Sequence, residues 1–300
     1  MPDLPYRGRF APSPTGPLHL GSMLVAFGSW LLARHANGQW LLRIEDLDPP
    51  REVPGAADCQ RATLAAFGLH PDAPPQYQSA RHHRYRQALE RLLDLGLAFE
   101  CHCSRAELDA QGGIHRHCVA RTRRRQPAIR LRVPDSRPVG FDDGLQGHVE
   151  QDVRSAVGDF VLRRADGCWA YQLAVVVDDA EQQINHVVRG ADLVDSTPRQ
   201  LLLQRALGLP SPHYLHLPLL LDAEGRKLSK SLAAAPVNAG APLPVLRWLW
   251  TTLGQPAEAL GTCRDVAALL EAAHCHFDPA RLPRQSLRVE TGAPTAAQPH

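Results

Sequence analysis

The sequence predicts an α/β protein built on a parallel sheet, and three observations carry that expectation. The first 50 of its 300 residues run strand, loop, helix, strand, the pattern of a βαβ unit. A cluster of thiols and imidazoles between residues 101 and 118 marks a candidate metal-binding element in the middle of the chain. Beyond residue 240 only short amphipathic helical segments can be read, so the last part is small and helical.

The elements follow in order. Tyr6 to Phe10 reads as a short strand. The stretch Ala11-Pro12-Ser13-Pro14-Thr15-Gly16-Pro17 must be a loop, because its three prolines fix φ and remove donors. Apolar residues then recur at helical spacing from Met23 to Ala36, with Ser22 as the expected N-cap and Asn37-Gly38 as the stop. Trp40 to Ile44 reads as a buried strand ending in Glu45-Asp46-Leu47-Asp48. Such a unit places backbone N–H groups and the positive end of a helix dipole at the carboxyl edge of the sheet, where a phosphate chain can dock. His19 stands one turn before the helix, and the spacing differs from the glycine patterns of dinucleotide sites and P-loops. Tyr171 opens a run to Asp178-Asp179 that reads as the start of a strand or a helix. Leu243 to Leu253 and Cys263 to Ala273 are the amphipathic helices, and residues 291–300 are expected to be disordered.

Composition narrows the function. With 33 basic and 31 acidic side chains the chain is nearly neutral, so a polyanionic partner must be met by a local patch. No apolar run reaches the length of a membrane span and the start lacks an export pattern, so a cytoplasmic protein without a membrane partner is expected. Only two basic residues are lysines, Lys227 and Lys230, in Gly225-Arg226-Lys227-Leu228-Ser229-Lys230-Ser231. A chain that uses arginine elsewhere and keeps two ammonium groups together points to chemistry a guanidinium cannot replace; a polar turn holding both by chance is the alternative.

Seven cysteines, an odd number, fit reduced thiols and a metal better than a disulfide framework. Cys101-His102-Cys103 and His115-Arg116-His117-Cys118 bring three thiols and three imidazoles into 18 residues, a donor set that zinc prefers. Gly112-Gly113 lets the chain turn back between them, and the nitrogen ligand stays open between His115 and His117. Residues 121–137 hold seven arginines, and Ile129 to Val133 alternates as a half-buried strand with arginine on its wet face. That patch can track RNA phosphates or be a merely solvated face.

The run from Arg9 to Gly21, Arg9-Phe10-Ala11-Pro12-Ser13-Pro14-Thr15-Gly16-Pro17-Leu18-His19-Leu20-Gly21, resembles the HIGH region of glutamyl-type class I aminoacyl-tRNA synthetases. Lys227-Leu228-Ser229-Lys230-Ser231 resembles their KMSKS loop, about 210 residues later and in the same order. Arg43 to Arg51 and Val188 to Leu193 are similar to further segments of the family, and the likeness covers roughly residues 5–235. It implies a Rossmann-type class I catalytic domain and an ATP-dependent ligase, with ATP and its Mg²⁺ as substrate. By the same resemblance His19, Lys227 and Lys230 are catalytic, and His19, Gly21 and Lys230 bind ATP. Glutamate falls to Arg9, Phe10, Ala11, Pro12, Ser13, Glu45, Tyr171 and Arg189, with Glu45 taking the α-ammonium and the two arginines carboxylates.

A shorter branch of that family passes activated glutamate to the queuosine base at the wobble position of tRNA(Asp), and carries a zinc element at this place in the chain. Its pattern is two cysteines, a tyrosine and a third cysteine. By that similarity Cys101, Cys103, His115 at the tyrosine position and Cys118 hold one structural zinc, although the last interval here is one residue shorter. The implied organisation is a first catalytic half at 1–98, a zinc-binding insertion at 99–168, a second catalytic half with the lysine loop at 169–235, and a small helical region at 236–300 without an anticodon-binding domain. L-glutamate, ATP and tRNA(Asp) carrying queuosine are the expected partners of a monomer. A truncated glutamyl-type ligase with another acceptor and a non-catalytic tRNA-binding paralogue are the alternatives.

Overall fold

The computed structural model describes residues 5–110, 112–135, 137–228, 235–289 and 294, so Lys230 and nearly all of the 291–300 tail lie outside the described residues. The elements are β1 (Arg7–Phe10), α1 (Leu20–His35), β2 (Gln39–Ile44), α2 (Ala56–Ala66), β3 (Gln76–Tyr77), α3 (His82–Asp94), β4 (Ala98–Cys101), α4 (Arg105–Asp109) and β5 (Ala128–Leu131). They continue as β6 (Val139–Asp143), β7 (Gly147–Gln151), α5 (Val153–Ala156), β8 (Val161–Arg163), α6 (Tyr171–Glu181), β9 (His186–Gly190), α7 (Thr197–Leu207) and β10 (His213–Leu217). Last come β11 (Leu220–Leu221), α8 (Pro242–Thr252), α9 (Val266–His276) and β12 (Leu287–Arg288).

The central sheet has seven strands in the order β3-β2-β1-β9-β10-β6-β7, parallel except for the terminal hairpin of β6 and β7. Strand β2 shows why helices cover both faces. Trp40, Leu42 and Ile44 enter the core shared with α1, α8 and α9, while Leu41 enters the core shared with α3, α6 and α7. This is the period-2 alternation of a strand buried on both sides. The order runs one way from β1 to β3 and the other way from β9 to β10, so the direction switches between β1 and β9. In open α/β sheets that crevice, beyond the carboxyl ends of the strands, is where ligands bind.

Two expectations change at the level of elements. Helix α1 begins at Leu20, not after Ser22, because His19 is the N-cap: its Nδ1 accepts the Ser22 N–H at 3.2 Å. Helix α9 begins at Val266, where the Asp265 carboxylate caps the Ala268 N–H at 2.8 Å. Tyr171 opens a helix.

The expected insertion at 99–168 is divided between two sheets. Strands β4, β5 and β8 form an antiparallel sheet that carries the thiol cluster, but the β6–β7 hairpin leaves it and extends the central sheet beyond β10. Asp143 makes the attachment. Its Oδ1 accepts the N–H groups of Leu145 (3.0 Å) and Gln146 (2.8 Å) in the hairpin and of His216 (3.2 Å) in β10. The region after residue 236 likewise does not pack by itself, since α8 and α9 share one core with α1. Trp250, fully buried there, donates its Nε1–H to the Pro256 carbonyl at 2.8 Å. Strand β12 pairs with β11 at the stem of the lysine loop. No described helix is long and apolar enough to cross a membrane.

Candidate active site and metal centre

A cavity of about 720 Å³ opens at the carboxyl ends of β1 and β9. Its wall brings together Arg9, Phe10, Ala11, Pro12, Ser13, His19, Gly21, Glu45, Tyr171, Arg189 and Lys227. Of the residues expected around glutamate and ATP, only Lys230 is not placed, because it lies outside the described residues.

One side of the cavity is built on the start of α1. His19 is extended (φ −107°, ψ 172°), and since its Nδ1 accepts a backbone N–H, its proton rides on Nε2, 3.1 Å from the Ser22 hydroxyl. Burial, with help from the Lys227 charge, pushes its pKa down to about 4, so the ring is neutral at pH 7 and offers one N–H. Gly21 permits this placement: a Cβ there would stand 3.0 Å from the imidazole. The far end of the lysine loop is tied to the same place, for His19 bridges to Pro236 and the Val237 N–H donates to the Leu18 carbonyl at 3.0 Å. Lys227 reaches the cavity from the near end and pairs with Asp192 at 2.6 Å. Two motifs distant in sequence thus form one wall.

Behind Arg9 and Glu45 lies a buried charge network that sequence reading missed. Arg43, fully buried, donates to Gln182 (2.7 Å) and pairs with Asp179 (2.8 Å), Glu45 (3.3 Å) and, more loosely, Asp178 (3.9 Å). Arg9 pairs with Asp179 at 3.0 Å, and Arg81 with Asp178 at 2.6 Å. Three guanidiniums therefore face three carboxylates. Asp178 and Asp179 each meet two arginines, whereas Glu45 has one long contact and borders the cavity. Burial raises the Glu45 pKa, against the pull of Arg43 and Arg9. It is the acid that an incoming ammonium would satisfy best.

Arg189 differs from Arg9 and Arg43. Its Nε–H donates to His216 Nε2 (2.9 Å), Nη1 to Gln200 (2.9 Å) and Tyr171 (3.5 Å), and Nη2 to Thr197 (2.7 Å) and the Leu193 carbonyl (3.3 Å). No carboxylate among the described residues pairs with it. Its guanidinium also lies 5.3 Å over the Tyr214 ring. The plane is held entirely by neutral groups, so a positive charge stands uncompensated on the cavity wall.

Three of the four expected metal ligands come together as one group. The ligand atoms of Cys101, Cys103 and His115 all lie within 4.8 Å of one another, and Cys118 Sγ is 3.6 Å from Cys103 Sγ. His115 is buried, its Nδ1 is 3.0 Å from Asp159 Oδ2, and its Nε2 is buried without a hydrogen-bond partner. An orphaned imidazole nitrogen facing thiols fits a tetrahedral thiophilic ion, and the carboxylate behind it fixes the tautomer that leaves Nε2 free. His117 is exposed and outside the cluster, while His102 Nδ1 accepts the Arg124 N–H at 3.0 Å. Gly158, at φ 69°, lets the His115 backbone approach, since a Cβ there would fall 2.3 Å from its carbonyl oxygen.

In the arginine stretch, Arg121, Arg123, Arg124 and Arg125 are exposed. Arg130 is not free on a wet face. It is half-buried and donates to the Asp159 carbonyl at 2.8 Å, and Arg132 lies 4.7 Å over the Phe99 ring.

Comparison with known proteins agrees with this geometry. The model of the family described as tRNA synthetases class I (E and Q), catalytic domain, matches residues 6–126 and 115–240. A glutamyl-Q tRNA(Asp) synthetase of Xanthomonas campestris pv. campestris (strain 8004) is 65% identical over 284 residues, 95% of each chain. One from Burkholderia cenocepacia (strain J2315) is 53% identical over 281 residues, covering 89% of this chain and 94% of the relative. Among solved structures, glutamate-tRNA synthetase from Elizabethkingia anophelis aligns with a TM-score of 0.80 at 27% identity, over 95% of this chain and 68% of that one. A glutamate tRNA ligase from Elizabethkingia meningosepticum in complex with its amino acid gives 0.78 at 26%, over 95% and 67%. On the family match and on identities of this size over nearly the whole length, the chain belongs to the class I tRNA synthetases of the E and Q type, in the group of the glutamyl-Q tRNA(Asp) synthetases.

Proposed function

We propose that the protein activates L-glutamate with ATP and transfers the glutamyl group to the queuosine base of tRNA(Asp). The observation that carries the first step is the single cavity in which an uncompensated guanidinium, an under-paired carboxylate and a capped helix start face one another. In activation an oxygen of the glutamate α-carboxylate attacks the α-phosphorus of ATP. A new P–O bond forms as the bond to the β-phosphate breaks, and pyrophosphate leaves. A hydroxyl of queuosine then attacks the glutamyl carbonyl, and AMP departs with the electron pair.

Positioning and charge stabilisation do most of this work. Glu45 takes the α-ammonium, and Arg189, with Arg9 behind it, the side-chain carboxylate, which leaves the α-carboxylate to point along the cavity toward His19. The neutral His19 Nε2–H and the first amides of α1 hold phosphate oxygens, and Lys227 and Lys230 neutralise the charge that grows on departing pyrophosphate. Lys227 must leave Asp192 to do so. Glutamate-dependent ATP–pyrophosphate exchange without tRNA tests the activation step. Replacing Lys230 by Ala is expected to lower the exchange rate about 10²-fold or more while glutamate affinity, read by calorimetry, stays within about twofold; equal loss of both would remove Lys230 from this role.

Cys101, Cys103, His115 and Cys118 would hold one structural zinc, which supplies a cross-link between the chain before and after Gly112-Gly113. About one zinc per chain is expected by elemental analysis, with His115→Ala losing most of it. Stripping the metal should lower the melting temperature, and an unchanged melt with stoichiometric metal loss would deny the ion a structural part.

A further inference from the structure

Arg189 acquires its orientation from a buried chain of contacts that starts in another part of the sequence. Its Nε–H donates to His216 Nε2 at 2.9 Å. A ring nitrogen that accepts carries no proton, so the His216 proton sits on Nδ1, where it is donated to Asp143 Oδ2 at 2.5 Å. His216 is fully buried and Asp143 is 5% exposed. Asp143 cannot swing away, because its other oxygen takes the N–H groups of Leu145, Gln146 and His216. Against the upward push of burial, the His216 imidazole N–H first, then the Gln146 and Leu145 N–H groups, hold its pKa below the usual carboxylate value. In the opposite tautomer His216 would aim an N–H at the Arg189 Nε–H, donor against donor.

We infer that Asp143 and His216 are positioning residues for recognition of the substrate's side-chain carboxylate: Asp143 fixes the His216 tautomer, and His216 fixes the guanidinium plane of Arg189. The inference rests on the glutamate reading of the cavity. A carboxylate placed directly on Arg189, as Asp179 is placed on Arg9, would hold the side chain but compete with the substrate for its charge. An imidazole spacer holds the plane and leaves the charge to the ligand. The β6–β7 hairpin therefore contributes to amino-acid specificity without touching the cavity, since neither Asp143 nor His216 lines it.

Asp143→Asn tests this with little change of shape. The amide can turn its NH₂ toward His216 Nδ1, which then accepts and pushes the proton to Nε2. Two measurements on the full chain decide: the ¹⁵N chemical shifts of His216, which report its tautomer, and calorimetric titration with glutamate and, separately, ATP. Expected are an Nδ1–H imidazole in the wild type, an Nε2–H imidazole in the variant, and glutamate affinity lowered about tenfold or more with ATP affinity within about twofold. An Nε2–H tautomer in the wild type overturns the proposal even if the variant does not fold. So does a folded variant that binds glutamate normally, or one that loses glutamate and ATP alike. If the wild type binds ATP but no glutamate, the glutamate reading falls instead, and the tautomers still decide whether the relay exists.

Discussion

Replacing Arg189 by Leu is expected to lower kcat/KM for glutamate in the exchange reaction by about 10²-fold or more, since losing one partner of a desolvated charge pair costs about 2–5 kcal/mol. The loss should appear mainly in KM for glutamate and leave KM for ATP nearly unchanged. The reason lies in how the charge is held. Arg189 is tied down by His216, Gln200, Thr197, Tyr171 and a carbonyl, none of them anionic, and in the proposed role the substrate carboxylate is its counter-ion. Arg189→Lys keeps the charge but loses the planar fork, and should fall between wild type and Leu. If KM for ATP rises in step, Arg189 is acting on the architecture of the whole cavity and its assignment to the amino acid is wrong.

Arg43→Met makes the same kind of change with the opposite outcome. Its volume is roughly kept, but Asp179, Glu45 and Asp178 lose a shared cation in a fully buried place, which is expected to destabilise the fold by about 3–5 kcal/mol. Urea unfolding of the two proteins reads the difference. Its pH dependence has a definite sign. With Arg43 gone the buried carboxyls bind protons more tightly in the native than in the unfolded state, so the variant's deficit should shrink as pH is lowered. Glu45, whose pKa burial already raises, is the first expected to take up a proton. A deficit that stays constant between neutral and mildly acidic pH would show that lost packing, not uncompensated charge, is the cause.

These two residues also mark what could be read from the sequence. The β1–loop–α1–β2 unit was legible because its signals are local: three prolines in the loop, 3.6-residue periodicity and a stop at Asn37-Gly38. Thiols and imidazoles in a narrow window were legible for the same reason, and the buried orphan nitrogen of His115 then separates it from His117. The buried network was half-visible. A charge inside Leu41-Leu42-Arg43-Ile44 and two acids ending Val175-Val176-Val177-Asp178-Asp179 each contradict their apolar surroundings, and such a contradiction signals a partner. Nothing local says that the partners are each other, more than 130 positions apart.

Other features depended on three-dimensional facts that periodicity does not encode. His19 caps α1 only in one tautomer, so Ser22 looked the better cap. The β6–β7 hairpin joins the central sheet because β10 offers it an edge and His216 offers Asp143 a donor, which no pattern within residues 139–151 announces. The Arg130 side chain turned inward for the same kind of reason, to an acceptor in the loop before β8.

The most direct measurement is transfer of radiolabelled glutamate, with ATP, to three RNAs: tRNA(Asp) carrying queuosine, tRNA(Asp) lacking it, and tRNA(Glu). The predicted result is glutamyl product on the queuosine-containing tRNA(Asp) alone. Product on tRNA(Glu), or on tRNA(Asp) regardless of queuosine, would contradict it.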